Sequence, residues 1–293
     1  MSASAHSLPG HPGALPVRVG LIGAGIGASR TPRMHVEEGR ALGLDYAYDL
    51  IDTDALPLPH PTIGALLGQA QADGFAGVNV TFPFKRSALG CVDEVAPSAA
   101  AVGATNTVVF RDGRRIAHNT DYSGFTEGFR RAIGDRPRGS VLLLGAGGAG
   151  GAVANALLDN GVRLLFIHDT NQEAVRGLIA SIEARLGAGR AKAVKDLRVA
   201  AAAADGIVNA TPVGMAKLPG TPIDMALVEP RHWVADIVYF PLETTFLAQA
   251  RAKGCHTIDG SGMAVFQAVA AFELFTGCTP DPARMRATFD SFT

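Results

Sequence analysis

Val141-Leu142-Leu143-Leu144-Gly145-Ala146-Gly147-Gly148-Ala149-Gly150 is the stretch whose reading decides the fold. Four successive apolar residues suit a strand covered on both faces, as in a parallel sheet. The glycines after them fit G-x-G-x-x-G, with a helix expected over 151–158. The first glycine permits a tight turn, the second lets the backbone approach a pyrophosphate, and the third allows close helix packing. The helix N-terminus then offers N–H groups and partial positive charge to phosphate oxygens. A second strand over 164–167 leads to Asp169, an acid at the place where ribose hydroxyls are held. Apolar strands over 206–210 and 233–238 extend the same α/β unit.

Outward from this stretch the chain alternates strands and helices, as an α/β protein should. Strands are expected over 17–22, 46–51 and 77–81, and a helix over 63–73 stopped by Gly74. Arg111-Asp112-Gly113-Arg114 reads as a hairpin turn inside 108–116. Asp121 is expected to cap a helix reaching about residue 133, and the Ala200–Ala204 run reads as plain helix. An apolar helix over 263–275 ends before Gly277. The expected architecture is α/β with two domains: an N-terminal α/β substrate domain and a Rossmann-type dinucleotide-binding domain. Boundaries are placed at 1–16 for a disordered tail, 17–120 for the substrate domain and 121–258 for the dinucleotide domain. The C-terminal helices, 259–293, return to the substrate domain.

Composition excludes several classes. A formal net charge of -1 over 293 residues makes no electrostatic case for nucleic acid or an anionic membrane. The N-terminal residues lack the basic start and apolar run of a signal peptide, so a cytoplasmic setting is expected. Cys91, Cys255 and Cys278 form no C-x-x-C, and His35, His118, His168 and His232 lack metal-ligand spacing, so no metal is expected. A monomer or homodimer is expected.

Gly23-Ala24-Gly25-Ile26-Gly27-Ala28 also follows a strand and fits the looser G-x-G-x-x-A form. Ser29-Arg30-Thr31-Pro32 then breaks the pattern with hydroxyls and a proline, so its better use is to place Ser29 and Thr31 at the mouth of a cleft. Asp169 bears on cofactor choice. A carboxylate there can bind both ribose hydroxyls of NAD and repels the 2′-phosphate of NADP, and Thr170-Asn171-Gln172-Glu173 supplies no cation to offset it. NAD is expected rather than NADP.

A polar constellation completes the reading: Asn79-Val80-Thr81-Phe82-Pro83-Phe84-Lys85, then Asn106, then Asn119-Thr120-Asp121. Lys85 follows an aromatic run, so its stem is expected against apolar surface. Desolvation and a nearby carboxylate would pull its proton affinity in opposite directions, poising it for proton transfer. A solvated lysine and a plain helix cap at Asp121 remain open on the residues alone.

Gly77-x-Asn79-Val80-Thr81-x-Pro83-x-Lys85, Gly103-Ala104-x-Asn106-Thr107 and Asn119-Thr120-Asp121-x-x-Gly124-Phe125 resemble signature blocks of the shikimate dehydrogenase family. Asn209-Ala210-Thr211-Pro212-x-Gly214-Met215, Asp236-x-Val238-Tyr239-x-Pro241 and Gly260-x-x-Met263-x-x-x-Gln267-Ala268 are similar to its remaining blocks. The resemblance runs from about Val17 to the C-terminus. It implies that Lys85 is the general acid/base, with Asp121 its partner and a ligand of substrate hydroxyls. It implies that Ser29 and Thr31 hold a substrate carboxylate with Tyr239 nearby, and that Thr81, Asn106 and Gln267 bind ring hydroxyls. Gly145, Gly147, Gly148, Ala149, Gly150, Asp169, Ile237 and Gly260 would line the dinucleotide, with the active site in a cleft between the domains.

Two departures point to a branch. Thr31 stands where many members carry a second serine, and Ser29-Arg30-Thr31-Pro32 with Met34-His35 and Glu38-Gly39 resembles the NAD-dependent quinate/shikimate dehydrogenase branch. His168-Asp169-Thr170 replaces the Asn-Arg-Thr clamp of NADP-dependent biosynthetic members. The implied function is hydride transfer between NAD and the 3-hydroxyl of quinate and/or shikimate. The alternatives are an NADP-dependent biosynthetic enzyme of the shikimate pathway, an aminoshikimate-type dehydrogenase, and a non-catalytic protein that senses a quinate-like ligand with NAD.

Overall fold

The computed structural model describes residues 16–58 and 61–292. The tail expected over 1–16 lies outside the described residues except for Pro16. The chain divides into two compact units. One holds the described residues up to Ala96, Thr105–Thr120 and the residues from Ala268 on; the other holds Pro97–Ala104 and Asp121–Gln267.

The first unit is built on a six-stranded mixed sheet. Its strands are β1 (Val17–Gly23), β2 (Tyr46–Asp52), β3 (Gly77–Val80), β4 (Glu94–Val95), β5 (Thr107–Arg111) and β6 (Arg114–His118), in the order β2-β1-β3-β5-β6-β4. β1 runs parallel to both β2 and β3, whereas β3–β5 and β5–β6 are antiparallel. The expected hairpin turn has Asp112 and Gly113 at φ 52° and 74°, the left-handed pair that matches strand twist. Helix α1 (Thr31–Ala41) follows β1 and α2 (Ile63–Ala72) follows β2. Leu66, Leu67 and Ala70 of α2 pack against Ile22, Val78, Val80 and Val108. On a second cluster, Ala271, Phe272 and Phe275 cover Val19, Tyr46 and Val109.

Those three C-terminal residues belong to α9 (Ser261–Thr276), whose earlier turns belong to the other unit. The chain then ends in α10 (Pro282–Asp290). Its Arg284 grips the buried Glu38 carboxylate of α1 through two bonds, at 2.6 and 2.7 Å, and the Asp281 N–H adds a third at 2.8 Å.

The second unit carries β7 (Ser140–Leu144), β8 (Leu164–His168), β9 (Ala191–Ala193), β10 (Gly206–Asn209), β11 (Trp233–Asp236) and β12 (His256–Ile258), all parallel. Their order is β12-β11-β10-β7-β8-β9, the doubly wound arrangement in which the chain reverses its direction of travel between β7 and β10. The apolar run in β7 is explained by cover on both faces. Val141 and Leu143 join one core cluster with Phe129, Val153 and Leu157, while Leu142 and Leu144 join another with Ile207, Val234 and Phe246. The helices are α3 (Pro97–Val102), α4 (Thr120–Ile133), α5 (Gly148–Asp159), α6 (Gln172–Leu186), α7 (Leu197–Ala203) and α8 (Thr245–Ala252). Among the described residues no helix is long and apolar enough to cross a membrane.

Candidate active site

In an open parallel sheet, ligands gather outside the carboxyl ends of the strands where the strand order reverses. In the second unit that place is the turn from β7 into α5. Gly145 has φ 105°, and a Cβ on it would lie 2.6 Å from the Ala210 carbonyl oxygen that follows β10. Nothing lies within 4 Å of where a Cβ of Gly147 would stand, so the backbone there faces open space. Gly150 packs on the Gly145 carbonyl too closely for any side chain. The first intrahelical bond runs from Gly151 N–H to the Gly147 carbonyl at 2.9 Å. The N–H groups of Gly148, Ala149 and Gly150 therefore form a first turn that has no intrahelical acceptors by geometry. A cradle of this kind fits a dinucleotide pyrophosphate.

Asp169 reaches back to the same turn: one carboxylate oxygen accepts the Ala146 N–H at 2.7 Å and the other the Asn171 N–H at 2.8 Å. Ile237 follows β11 and donates its N–H to the Asn209 carbonyl at 3.0 Å. A Cβ on Gly260 would lie 2.7 Å from the Ile237 carbonyl oxygen, so only glycine allows that approach. Gly145, Asp169, Ile237 and Gly260 are thus all at the carboxyl end of this sheet.

The first unit repeats the pattern with a different outcome. β1 and β3 are neighbours, and Gly23 at the end of β1 meets the Thr81 methyl just past β3. Here Asp52, at the end of β2, accepts the Gly25 N–H at 2.9 Å and the Ile26 N–H at 3.0 Å. Against the upward push of desolvation, the Gly25, Asp54 and Ile26 N–H groups hold its carboxyl below the usual range. Two amides of this turn are thus already engaged by a carboxylate, and the helix starts only at Thr31, with Pro32 in its first turn. Proline suits that position because its missing N–H would have had no helical partner. Ser29 donates its N–H to the Ile26 carbonyl at 2.9 Å, closing a turn between the end of β1 and Thr31, the first residue of α1.

Thr81 closes a turn by accepting the Phe84 N–H at 2.9 Å, and half-buried Lys85 follows, its carbonyl accepting the Thr105 N–H at 2.8 Å. Phe84 packs on the core, whereas Phe82 is 75% exposed. Asn106 lies at the same end, because β5 runs antiparallel to β3. Its side-chain oxygen accepts the Thr120 N–H at 2.6 Å and its amide donates to the Thr120 hydroxyl at 2.9 Å. Asn79 donates to the Thr107 hydroxyl at 3.0 Å and accepts from the Tyr48 hydroxyl at 2.8 Å. Ser29, Thr31, Thr81, Lys85 and Asn106 are therefore brought to one end of the first sheet.

Asp121 is buried, and α4 begins one residue before it at Thr120. The expected cap is corrected: Asn106 takes the Thr120 N–H, so the helix starts earlier and Asp121 occupies its first turn. Tyr239 stands 38% exposed after β11, and Gln267 on α9 donates to the Ala264 carbonyl at 3.0 Å. Both belong to the second unit.

Sequence reasoning passed over Asp52 and gave no role to Asp236, the first residue of the Asp236-x-Val238-Tyr239-x-Pro241 block. Asp52 pairs in register with Gly23, the first glycine of its motif, a relationship that only the folded sheet shows. Asp236 lies at the end of β11, where desolvation pushes its carboxyl up to about 6 against hydrogen bonds from the Val238 N–H, the Thr244 hydroxyl and the Asn209 amide. A cavity of about 310 Å³ lined by Arg136, Trp233, Cys255 and His256, among others, opens at the amino ends of β11 and β12 and includes none of the expected site residues. Among the described residues no group of three or more His, Cys, Asp or Glu side chains is placed to hold a metal ion.

Comparison with known proteins finds relatives named for NAD and relatives named for NADP. Residues 21–108 match the shikimate dehydrogenase substrate binding domain, and 260–288 match the shikimate 5′-dehydrogenase C-terminal domain. The chain is 49% identical to the shikimate dehydrogenase (NADP(+)) of Streptomyces avermitilis, over 92% of this chain and 93% of that protein. It is 45% identical to the quinate/shikimate dehydrogenase (NAD(+)) of Corynebacterium efficiens, over 93% of this chain and 97% of that protein. It superposes on the quinate dehydrogenase from Corynebacterium glutamicum in complex with NAD with a TM-score of 0.90 at 44% identity, covering 94% of this chain and 99% of that one.

Proposed function

The chain belongs to the shikimate dehydrogenase family, and from that premise we propose that it oxidises quinate and/or shikimate at the 3-hydroxyl with NAD, giving the 3-dehydro acid. In this reading the turn Gly145–Gly150 and the first N–H groups of α5 hold the pyrophosphate, and Ile237 and Gly260 line the nicotinamide end. Bound there, the nicotinamide ring supplies the hydride acceptor. Ser29 and Thr31 hold the substrate carboxylate with Tyr239, while Thr81, Asn106 and Gln267 read ring hydroxyls. Those contacts confer selectivity because a substrate lacking a hydroxyl would leave a buried amide or hydroxyl unpaired. Lys85 takes the proton of the reacting hydroxyl as its carbon loses hydride, and returns it in the reverse direction. Asp121 is its partner and anchors a neighbouring hydroxyl. A proton carrier of this kind has no use in a protein that only senses its ligand.

The observation that carries the choice of NAD is Asp169. Its carboxylate is held against the glycine turn through the Ala146 N–H, where its charge favours a diol and opposes a phosphate. The second reading, NADP-dependent reduction in biosynthesis, is favoured by the 49% identity to the Streptomyces relative. Steady-state kinetics of the purified protein with NAD and NADP on quinate, shikimate and aminoshikimate separates the two. Higher kcat/KM with NAD supports the proposal, and a preference for NADP on shikimate replaces it with the second reading.

A further inference from the structure

Resting on the proposed reaction, we infer that Asp236 is a positioning residue: with Asn209 and Thr244 it ties together the two loops that leave β10 and β11, and so fixes the nicotinamide end of the dinucleotide site. Asn209 is wholly buried at the end of β10. All its hydrogen-bonding capacity is used. Its amide donates to the Val213 carbonyl at 2.8 Å and to one Asp236 oxygen at 2.9 Å. Its carbonyl accepts the Thr211 N–H at 3.0 Å and the Thr211 hydroxyl at 2.6 Å. The loop after β10 is thereby folded back on Asn209.

Asp236 carries the tie across to the next strand. The oxygen that takes the Asn209 amide also accepts the Val238 N–H at 3.0 Å, which shapes the loop carrying Ile237 and Tyr239. The other oxygen accepts the Thr244 hydroxyl at 2.8 Å, and Thr244 in turn accepts the Leu247 N–H at 3.2 Å as the cap of α8. One carboxylate therefore holds two loops and a helix start. Both loops touch cofactor residues: Ala210 backs Gly145, and the Ile237 and Val238 carbonyls back Gly260. A carboxylate buried to this degree is costly unless its acceptors are filled, and here they are. Asp236 bonds to the loops after β10 and β11 and to the start of α8, so it acts through the placement of the backbone beside Gly145 and Gly260, with a smaller effect through Tyr239 on the acid.

The test is a set of variants assayed for dinucleotide Kd by fluorescence, for the KM of each substrate with the other saturating, and for kcat. Asp236→Ala is expected to raise both dinucleotide constants about tenfold or more, with the KM for the acid changed much less. Asp236→Asn is expected to restore them to within about threefold, since an amide oxygen can accept from Asn209 and Val238 while its N–H₂ donates to Thr244. If Asp236→Ala does not fold, Thr244→Val, which removes one donor, carries the same split with a smaller rise of about threefold. Unchanged dinucleotide constants in the folded Asp236→Ala protein, or in Thr244→Val, overturn the positioning role and leave the reaction standing. So does an equal loss in Asp236→Asn and Asp236→Ala. A wild-type protein that binds no dinucleotide overturns both this inference and the proposed reaction.

Discussion

Asp52 and Asp169 occupy the same place in two different sheets. Asp52 is in register with Gly23, and Asp169 follows the Leu144–His168 pair to stand beside Gly145, so each faces the first glycine of a glycine-rich turn from the neighbouring strand. Their hydrogen bonds separate the two turns. Asp52 engages the third and fourth residues of its motif, Gly25 and Ile26, whereas Asp169 engages the second, Ala146. The two glycine-rich turns thus differ in which backbone N–H groups a carboxylate takes. In the proposed reading the first turn serves the acid and the second the dinucleotide.

Asp52→Ala should therefore act on the acid and not on the dinucleotide. Without its acceptor the Gly25–Ile26 turn loosens, and Ser29, which donates its N–H to Ile26, loses its fixed direction. The expected outcome is a rise of about tenfold in KM for the carboxylic acid with an unchanged KM for the dinucleotide. Equal effects on both substrates would refute the assignment of the first turn to the acid.

Asp169→Ser should shift cofactor preference. Removing the charge lifts the repulsion of a 2′-phosphate and weakens the grip on the ribose diol. The ratio of kcat/KM for NAD to that for NADP should fall by about tenfold or more. A ratio unchanged within error would mean that cofactor choice is made elsewhere.

These assignments show what was legible in the chain and what was not. β7 could be read because four buried residues in a row require cover on both faces, and its glycine turn because each glycine meets a separate steric demand. β4, with two residues, and β9, with three, are too short for any periodicity to show. α3 groups with the second unit through Val102 and Ala104 against Ala152, long-range packing that no local pattern announces. Asp52 was not legible because it acts through the Gly25 and Ile26 N–H groups, which have no side-chain signature, and the Asp236-x-Val238-Tyr239-x-Pro241 block gave no sign that Asp236 bonds to Asn209 and Thr244 elsewhere in the chain.

Two buried groups, His35 and Asp236, make opposite contributions to the pH dependence of stability. Burial lowers His35 from 6.5 to about 3, so the unfolded chain takes up its proton first, and the stability this neutral ring contributes above pH 6.5 is lost as pH falls toward 3. Asp236 works in the opposite sense. Its carboxyl rises from 3.8 to about 6 on folding, so its contribution is fully present below pH 3.8 and is lost as pH rises through 6. Each effect has a limiting slope of about 1.4 kcal/mol per pH unit, and they offset one another between pH 6 and 4. Urea unfolding of Asp236→Asn should therefore show a steeper acid loss in that window than the wild type, and His35→Asn a shallower one. Parallel curves for all three proteins would contradict the assignment.

Lys85→Ala should lower kcat by about a hundredfold or more while leaving Kd for the acid and the dinucleotide within severalfold. Asp121→Asn should lower kcat and raise KM for the acid together, since the carboxylate is given both a proton partner and a substrate hydroxyl. Unchanged turnover in Lys85→Ala would remove this lysine from its role.

The most direct test is the kcat/KM of the purified wild-type protein in the oxidative direction, followed by dinucleotide absorbance, for quinate and shikimate with NAD and with NADP. NAD-linked oxidation predicts turnover of at least one acid with NAD at a higher kcat/KM than with NADP. Turnover of neither acid with NAD, or a clear preference for NADP, contradicts it.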